Sequence, residues 1–97
     1  MRVRVTSPAE AELTDAAEWY DGQTPGVAGR FLAEYQRLLD RLGENPRQYP
    51  TLRGELRRAG FSRFPYGLIY RILPDEVEVI SCFHGRRDPR RWQRRAQ

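Results

Sequence analysis

One histidine and its arginine neighbours are the residues whose types could carry acid–base chemistry. His84 is the only histidine of the chain, and the strand pattern described below places it on one sheet face with Arg63 and Tyr70. A histidine can move a proton near neutral pH while a guanidinium stabilises phosphate charge. Arg63 and His84 are therefore the candidate catalytic pair if the chain cleaves RNA. A hydrogen-bonded structural histidine is the alternative, because no second acid or base lies nearby in sequence.

The end of the chain carries a dense group of arginines. Six of them surround Trp92, namely Arg86, Arg87, Arg90, Arg91, Arg94 and Arg95. Such a group could neutralise several phosphates or an acidic protein patch, or it could be a solvated tail. We take Arg86, Arg87, Arg90 and Arg91 as candidate target-binding residues. Trp92 is interpreted as an anchor that holds a short helical turn on the domain.

Other reaction classes lack their residue patterns. No Cys/His cluster has metal-ligand spacing, no glycine-rich loop resembles a phosphate cradle, and no serine stands in a nucleophile elbow. We therefore expect neither a metal nor a cofactor. The single cysteine, Cys82, lies in an apolar run and is interpreted as a buried, reduced thiol.

Length and charge indicate one small basic domain over residues 1–97. The net charge of +4 is unevenly distributed. Residues 1–52 carry six arginines against eight acids, and residues 53–97 carry eleven against five. A one-sided basic half suits an anionic partner, whether RNA, DNA or an acidic protein segment. With no long apolar run and a charged beginning, the chain is expected to be cytoplasmic, without membrane association.

The first half of the sequence predicts a strand followed by two helices. Val3 and Val5 alternate with arginines as in an edge strand. Ser7-Pro8-Ala9-Glu10 has the pattern of a capping box, which predicts a helix from about Pro8 to Asp21. Thr24-Pro25 repeats the start signal for a second helix that ends near Gly43. The short separation predicts an antiparallel hairpin with a two- or three-residue loop.

The second half predicts an antiparallel meander. A loop over Asn45–Gly54 leads into three strands at about Leu56–Phe64, Gly67–Leu73 and Val77–His84. A short helix after Asp88-Pro89 closes the chain. The expected fold is therefore α+β, with the helical hairpin packed on a mostly antiparallel four-stranded sheet.

Turn lengths assumed for the meander divide its side chains between two faces. One face is predicted to form the core with the hairpin, and its members are Phe64, Ile69, Val77, Val79 and Phe83. The other is predicted to stay open for a partner, and its members are Phe61, Arg63, Leu68, Tyr70, Ile72, Ile80, Cys82 and His84. Trp19 falls off the apolar stripe of the first helix and is predicted to be exposed, whereas Tyr20 belongs to the core.

The order of elements, together with RFPYGLIYRI at residues 63–72 and FHGRRDP at residues 83–89, resembles the RelE/ParE superfamily of type II toxins. The resemblance covers nearly the whole chain. It implies a toxin of a toxin–antitoxin system, of the kind associated with plasmid stabilisation, that inhibits growth and is bound by an antitoxin. Trp19, Phe61 and Tyr70 are the antitoxin-binding candidates, and operator DNA would be reached only through the antitoxin.

The superfamily divides by target. RelE-like members cut messenger RNA on the ribosome with basic residues and a Tyr or His, whereas ParE-like members inhibit DNA gyrase. Arg63, Arg71 and His84 match the nuclease positions only partly, and the chain has no lysine. The hairpin with Trp19-Tyr20 favours the ParE-like branch and gyrase as the target. A ribosome-dependent ribonuclease and an inactive antitoxin-binding module remain the alternatives, so whether the chain is an enzyme stays open.

Overall fold

The computed structural model describes residues 1–85 and 90–96, and for residues 90, 91 and 96 it describes the backbone alone. The elements follow the predicted order, with one strand added where a loop was predicted. They are β1 (Arg2–Val5), α1 (Ser7–Asp21), α2 (Val27–Glu44), a 3-10 turn (Pro46–Gln48), β2 (Thr51–Arg53), β3 (Leu56–Gly60), β4 (Tyr66–Ile72), β5 (Glu76–His84), α3 (Arg90–Gln93) and a final 3-10 turn (Arg94–Ala96). None of the helices in the described part of the chain has both the length and the apolar character to cross a bilayer.

Within the described ranges, the sheet has five strands in the order β1-β5-β4-β3-β2. Strand β1 runs parallel to β5, and all the other pairs are antiparallel. The predicted count of four strands was wrong because β2 was assigned to a loop. All three β2 residues are exposed, so this edge strand carries no buried alternation by which a sequence pattern could detect it.

The helical hairpin is confirmed, but both helix starts differ from the prediction. Ser7 is the first residue of α1 rather than its cap, and no side chain caps the helix. The reason is that the N–H of Thr6 still donates to the Val79 carbonyl (3.0 Å), which extends the strand up to the helix. Helix α2 begins at Val27, after Gly26 with φ 85°, a left-handed conformation that suits glycine. The connection spans residues 22–26 and is longer than predicted.

The two faces of the sheet were assigned partly wrongly, because β5 contains a bulge. Pairing runs from Ile69↔Ser81 directly to Tyr70↔Val79, so Ile80 has no partner opposite it. An extra residue reverses the alternation of everything beyond it on that strand. As a result Val79 and Cys82 both pack toward the hairpin although one number is odd and the other even.

The hairpin covers members of both predicted faces. Val77, Val79 and the partly buried Phe64 pack on it as predicted, and residues predicted to be open, such as Leu68 and Tyr70, pack there too. The buried core on that side contains Ala9, Ala16, Phe31, Leu38, Leu42, Ala59, Phe61, Tyr66, Leu68, Tyr70, Val77, Val79 and Cys82. The opposite face carries a smaller buried cluster of Leu56, Ile69, Ile80, Phe83 and Trp92. Ile69 and Phe83, predicted to pack on the hairpin, thus lie beneath the C-terminal segment instead.

Trp92 and Arg95, both described residues, attach the C-terminal segment to the rest of the fold. Trp92 is 4% exposed and meets Phe83 edge to face at 6.2 Å between ring centroids, which confirms its predicted role as an anchor. Arg95 donates to the Glu12 carboxylate (2.6 Å) and to the Ile80 carbonyl (3.1 Å). Glu12 lies on α1, so these contacts join the first helix to the last turn.

Candidate partner-binding surfaces

Aromatic rings fill the end of the molecule where α1, α2 and the loop of residues 61–65 meet. Tyr20 lies 5.0 Å from Phe64 and 5.3 Å from Phe31, measured between ring centroids. Tyr66 joins the same cluster from β4, 5.4 Å from Phe31. Aromatic rings at these separations and tilts attract each other, and this attraction adds to the stabilisation that comes from burying their apolar surface. The cluster therefore gives this end a rigid framework, and one surface depression lies on each side of it.

The first depression, which we call the Trp19 cleft, lies between α1 and the ends of β4 and β5. Its volume is about 460 Å³, and its walls include Asp15, Trp19, Tyr66, Cys82 and His84. Trp19 is 59% exposed, while burial raises the pKa of the Cys82 thiol to about 12. The cleft thus combines an accessible indole and a carboxylate with an unreactive thiol.

The second depression, which we call the arginine notch, lies between α2 and the loop of residues 61–65. Its volume is about 300 Å³. The basic side chains that line it are Arg30 and Arg37 from α2 and Arg63 from the loop, and Phe64 supplies an apolar wall. All three arginines are exposed. The notch is therefore a small cationic surface with an aromatic side.

A buried glutamate fixes the loop that forms one side of this notch. Glu34 is 6% exposed, and its Oε1 accepts from the backbone N–H of Ser62, from the Ser62 hydroxyl (3.2 Å) and from the backbone N–H of Arg63 (3.1 Å). The N–H of Phe61 still donates to the Tyr66 carbonyl of β4 (2.9 Å), whereas Ser62 and Arg63 bond to Glu34 instead of to the sheet, so the strand does not continue to the predicted Phe64 and β3 ends at Gly60. A buried carboxylate is tolerated because these donors compensate its lost hydration.

The predicted catalytic pair is not brought together among the described residues. His84 lines the Trp19 cleft and contacts Tyr66 edge to face at 5.0 Å. Arg63 lines the arginine notch beside α2. Tyr70, predicted to share their face, is fully buried, and its hydroxyl donates to the Pro46 carbonyl. Burial raises the pKa of Tyr70 to about 12, so its hydroxyl stays protonated and bonded within the core.

The three residues predicted to bind the antitoxin do not share one surface either. Trp19 is exposed as predicted. Phe61 is 8% and Tyr70 0% exposed, so the expectation that they stand on an open sheet face was wrong. Phe61 instead stacks on Phe31 of α2, with ring centroids 4.9 Å apart. The bulge at Ile80 and the course of the loop are what turned this face toward the hairpin.

The predicted target-binding arginines lie largely beyond the described part of the chain. Arg86 and Arg87 are outside the described residues, as are the side chains of Arg90 and Arg91. Of the remaining tail arginines, Arg95 is committed to Glu12. No group of three or more His, Cys, Asp or Glu residues within 1–85 and 90–96 is arranged to hold a metal ion.

Sequence reasoning missed the arginine notch as a unit. Arg30 and Arg37 are seven residues apart, a spacing that places two residues on one face of a helix. The sequence could have shown that these two arginines share a helix face. Arg63 lies beside them only because Glu34 holds the loop of residues 61–65. No local pattern links residue 63 to helix α2.

Comparisons with known proteins agree with the architecture. Residues 3–89 match the family described as the ParE toxin of the type II toxin–antitoxin system parDE. Among solved structures, a chain of the chromosomal ParDE TA system from P. aeruginosa superposes with a TM-score of 0.76 at 18% identity. That match covers 87% of this chain and 95% of the other. No protein of curated function matches the chain significantly. The family match over most of the sequence shows that the chain belongs to the ParE toxin family of type II toxin–antitoxin systems.

Proposed function

We propose that this chain stops bacterial growth by binding and inhibiting DNA gyrase in the cytoplasm, and that a cognate antitoxin neutralises it by binding. Membership of the ParE toxin family supports this reading. The proposal makes the chain a non-enzymatic inhibitor that acts through its surfaces. Its candidate contacts with the target are Arg86, Arg87, Arg90 and Arg91.

The observation that carries this choice is the separation of Arg63 from His84. The two side chains line different depressions, one beside α2 and one beside α1. General acid–base cleavage of RNA needs the proton-transfer group and the phosphate-stabilising group within reach of one substrate position. An arrangement that keeps them in different depressions favours inhibition by binding over a ribonuclease that uses this pair.

The Trp19 cleft is the proposed site for an apolar residue of the antitoxin. Exposed tryptophans beside a depression are typical of residues that dominate binding energy at interfaces. Asp15 and the Trp19 ring would suit a segment that places a basic side chain beside an apolar one. In this proposal operator DNA is contacted by the antitoxin and not by this chain directly.

The test is induction of this chain in a bacterial host, alone and together with the protein encoded beside it. We expect growth arrest with a DNA-damage response and intact messenger RNA, and recovery when the neighbouring protein is present. Immediate cleavage of messenger RNA would instead support a ribonuclease. Soluble expression without any arrest would leave a module that only binds the antitoxin.

His84→Ala separates inhibition from catalysis. We expect the variant to arrest growth as the wild type does, because a binding inhibitor needs no proton transfer at this position. Loss of His84 from a ribonuclease would lower the cleavage rate by about 10²–10⁴-fold. Growth and RNA integrity are measured after induction, with circular dichroism of the purified complex as the check on folding. Abolished arrest in a folded variant would contradict the proposal.

A further inference from the structure

The three arginines of the notch differ from the ion-paired arginines of this protein. Arg4 forms ion pairs with Glu76 and Glu78. Arg71 pairs with Glu78, and Arg95 pairs with Glu12. Among residues 1–85 and 90–96, no carboxylate forms an ion pair with Arg30, Arg37 or Arg63. The notch thus gathers three exposed guanidinium groups that the described part of the chain does not neutralise by pairing.

Among the described residues, Glu34 is the one carboxylate that lines the notch, and one of its oxygens is already engaged. Oε1 of Glu34 accepts from Ser62 and Arg63 of the loop, and the glutamate is buried. Like charges around one small depression repel each other, and the repulsion is relieved when an anion enters. Helix α2 and the loop held by Glu34 fix the backbones of the three arginines. Binding of an anion therefore requires no rearrangement of these backbone segments.

The shape and lining of the notch favour a protein anion over a nucleic acid. A volume of about 300 Å³ fits one or two side chains. Phe64 and Val27 give it apolar walls beside the guanidinium groups. Nonspecific binding of a phosphate backbone relies instead on a track of cations along an extended groove. A carboxylate side chain next to an apolar one matches both parts of the lining.

We propose that the arginine notch binds an acidic side chain of the antitoxin, with an adjacent apolar side chain of the same segment packed against Phe64. The proposal rests on the proposed function, since it assigns a second contact region to the same partner. The antitoxin then engages both sides of the aromatic cluster, at the Trp19 cleft and at the notch. A guanidinium can bind a carboxylate through two parallel hydrogen bonds. Such a contact has a defined orientation in addition to the attraction of opposite charges.

The test compares two triple variants with the same change in net charge. R30Q/R37Q/R63Q removes the notch, and R41Q/R47Q/R53Q removes three exposed arginines that do not line it. All six side chains are exposed, so both variants are expected to keep the fold. The probe is the protein encoded beside this chain, and its Kd is measured at several salt concentrations. A short DNA duplex serves as a second probe.

We expect the notch variant to raise the Kd for the neighbouring protein by at least about tenfold, to weaken its salt dependence and to escape rescue in cells. The control variant should change the Kd by less than about threefold. Equal Kd values for both variants would overturn the inference, as would a notch variant that loses only its binding to duplex DNA. If the wild type neither arrests growth nor binds the neighbouring protein, the proposed function itself fails, a result distinct from either of these.

Discussion

At the scale of single residues, Glu34 has the widest influence on the candidate surfaces. One of its oxygens accepts three hydrogen bonds from Ser62 and Arg63. Those bonds end β3 early and bring Arg63 to the notch. A single buried carboxylate on α2 therefore determines the course of a loop from another part of the chain.

Glu34→Ala should destabilise the fold. Removal of the carboxylate leaves two backbone N–H groups of the loop without their acceptor, which we expect to lower the free energy of unfolding by about 2–3 kcal/mol. Urea denaturation followed by circular dichroism measures this change. Glu44→Ala is the matched control, because Glu44 lies exposed on the same helix and should change the free energy by less than about 0.5 kcal/mol. Equal stability of the two variants would show that the loop does not depend on Glu34.

At the scale of elements, β1 is joined to β5 by side chains as well as by its backbone. Arg4 of β1 binds Glu76 and Glu78 of β5, and Arg71 of β4 binds Glu78 from the other side. Burial alone would raise the pKa of Glu78, but the hydrogen bonds and charges of Arg4 and Arg71 outweigh it and hold that pKa below its ordinary value. Glu78 thus links three adjacent strands through its charged form.

Glu78→Gln should remove part of the acid sensitivity of folding. Because the folded state lowers the pKa of Glu78, the unfolded chain takes up the proton first as the pH falls. The stabilisation is therefore complete above the ordinary pKa and is lost below it. We expect the free-energy gap between wild type and variant to be constant near pH 7 and to shrink below about pH 4.5, as measured by urea denaturation across pH. The control Glu55→Gln, at a carboxylate that is 72% exposed, should follow the wild-type profile.

The sequence predicted the elements better than it predicted their contacts. Hydrophobic periodicity and turn residues are patterns of neighbouring positions along the chain, so the order of helices and strands was predictable from the sequence. The sheet faces were not, since one unpaired residue, Ile80, reverses the alternation on β5 and no local signal marks it. Strand β2 was missed because its residues are exposed. The exposure of Trp19 was predicted correctly because that prediction used only the helical period of α1. The exposure predicted for Phe61 was wrong because it depended on the strand register.

At the scale of the whole molecule, the sheet has a cover on each face. The hairpin covers one face, and the C-terminal segment covers the smaller cluster on the other through Trp92 and Arg95. Arg95 also reaches back to Glu12 on α1. Trp92 and Arg95 are therefore part of the folded unit rather than of a solvated tail.

Trp92→Ala should destabilise the domain strongly. The substitution removes the ring that packs on Phe83 and uncovers the cluster that includes Ile69 and Ile80. Truncation of a buried tryptophan is expected to cost about 3–5 kcal/mol. Thermal and urea unfolding measure the loss, and Trp19→Ala, at an exposed position, should cost less than about 0.5 kcal/mol. A small effect of Trp92→Ala would mean that the C-terminal segment contributes little to stability.

The position of β5 has a genetic consequence. This strand is nearly the last element of the chain, yet it lies between β1 and β4 and pairs with both. A chain that stops before residue 76 leaves β1 without a partner and the meander without its longest strand. Frameshifts and premature stop codons anywhere before the codon of residue 76 should thus all abolish the folded domain. Selection for loss of this gene would find a large mutational target, and shortened alleles would not survive as partly folded versions.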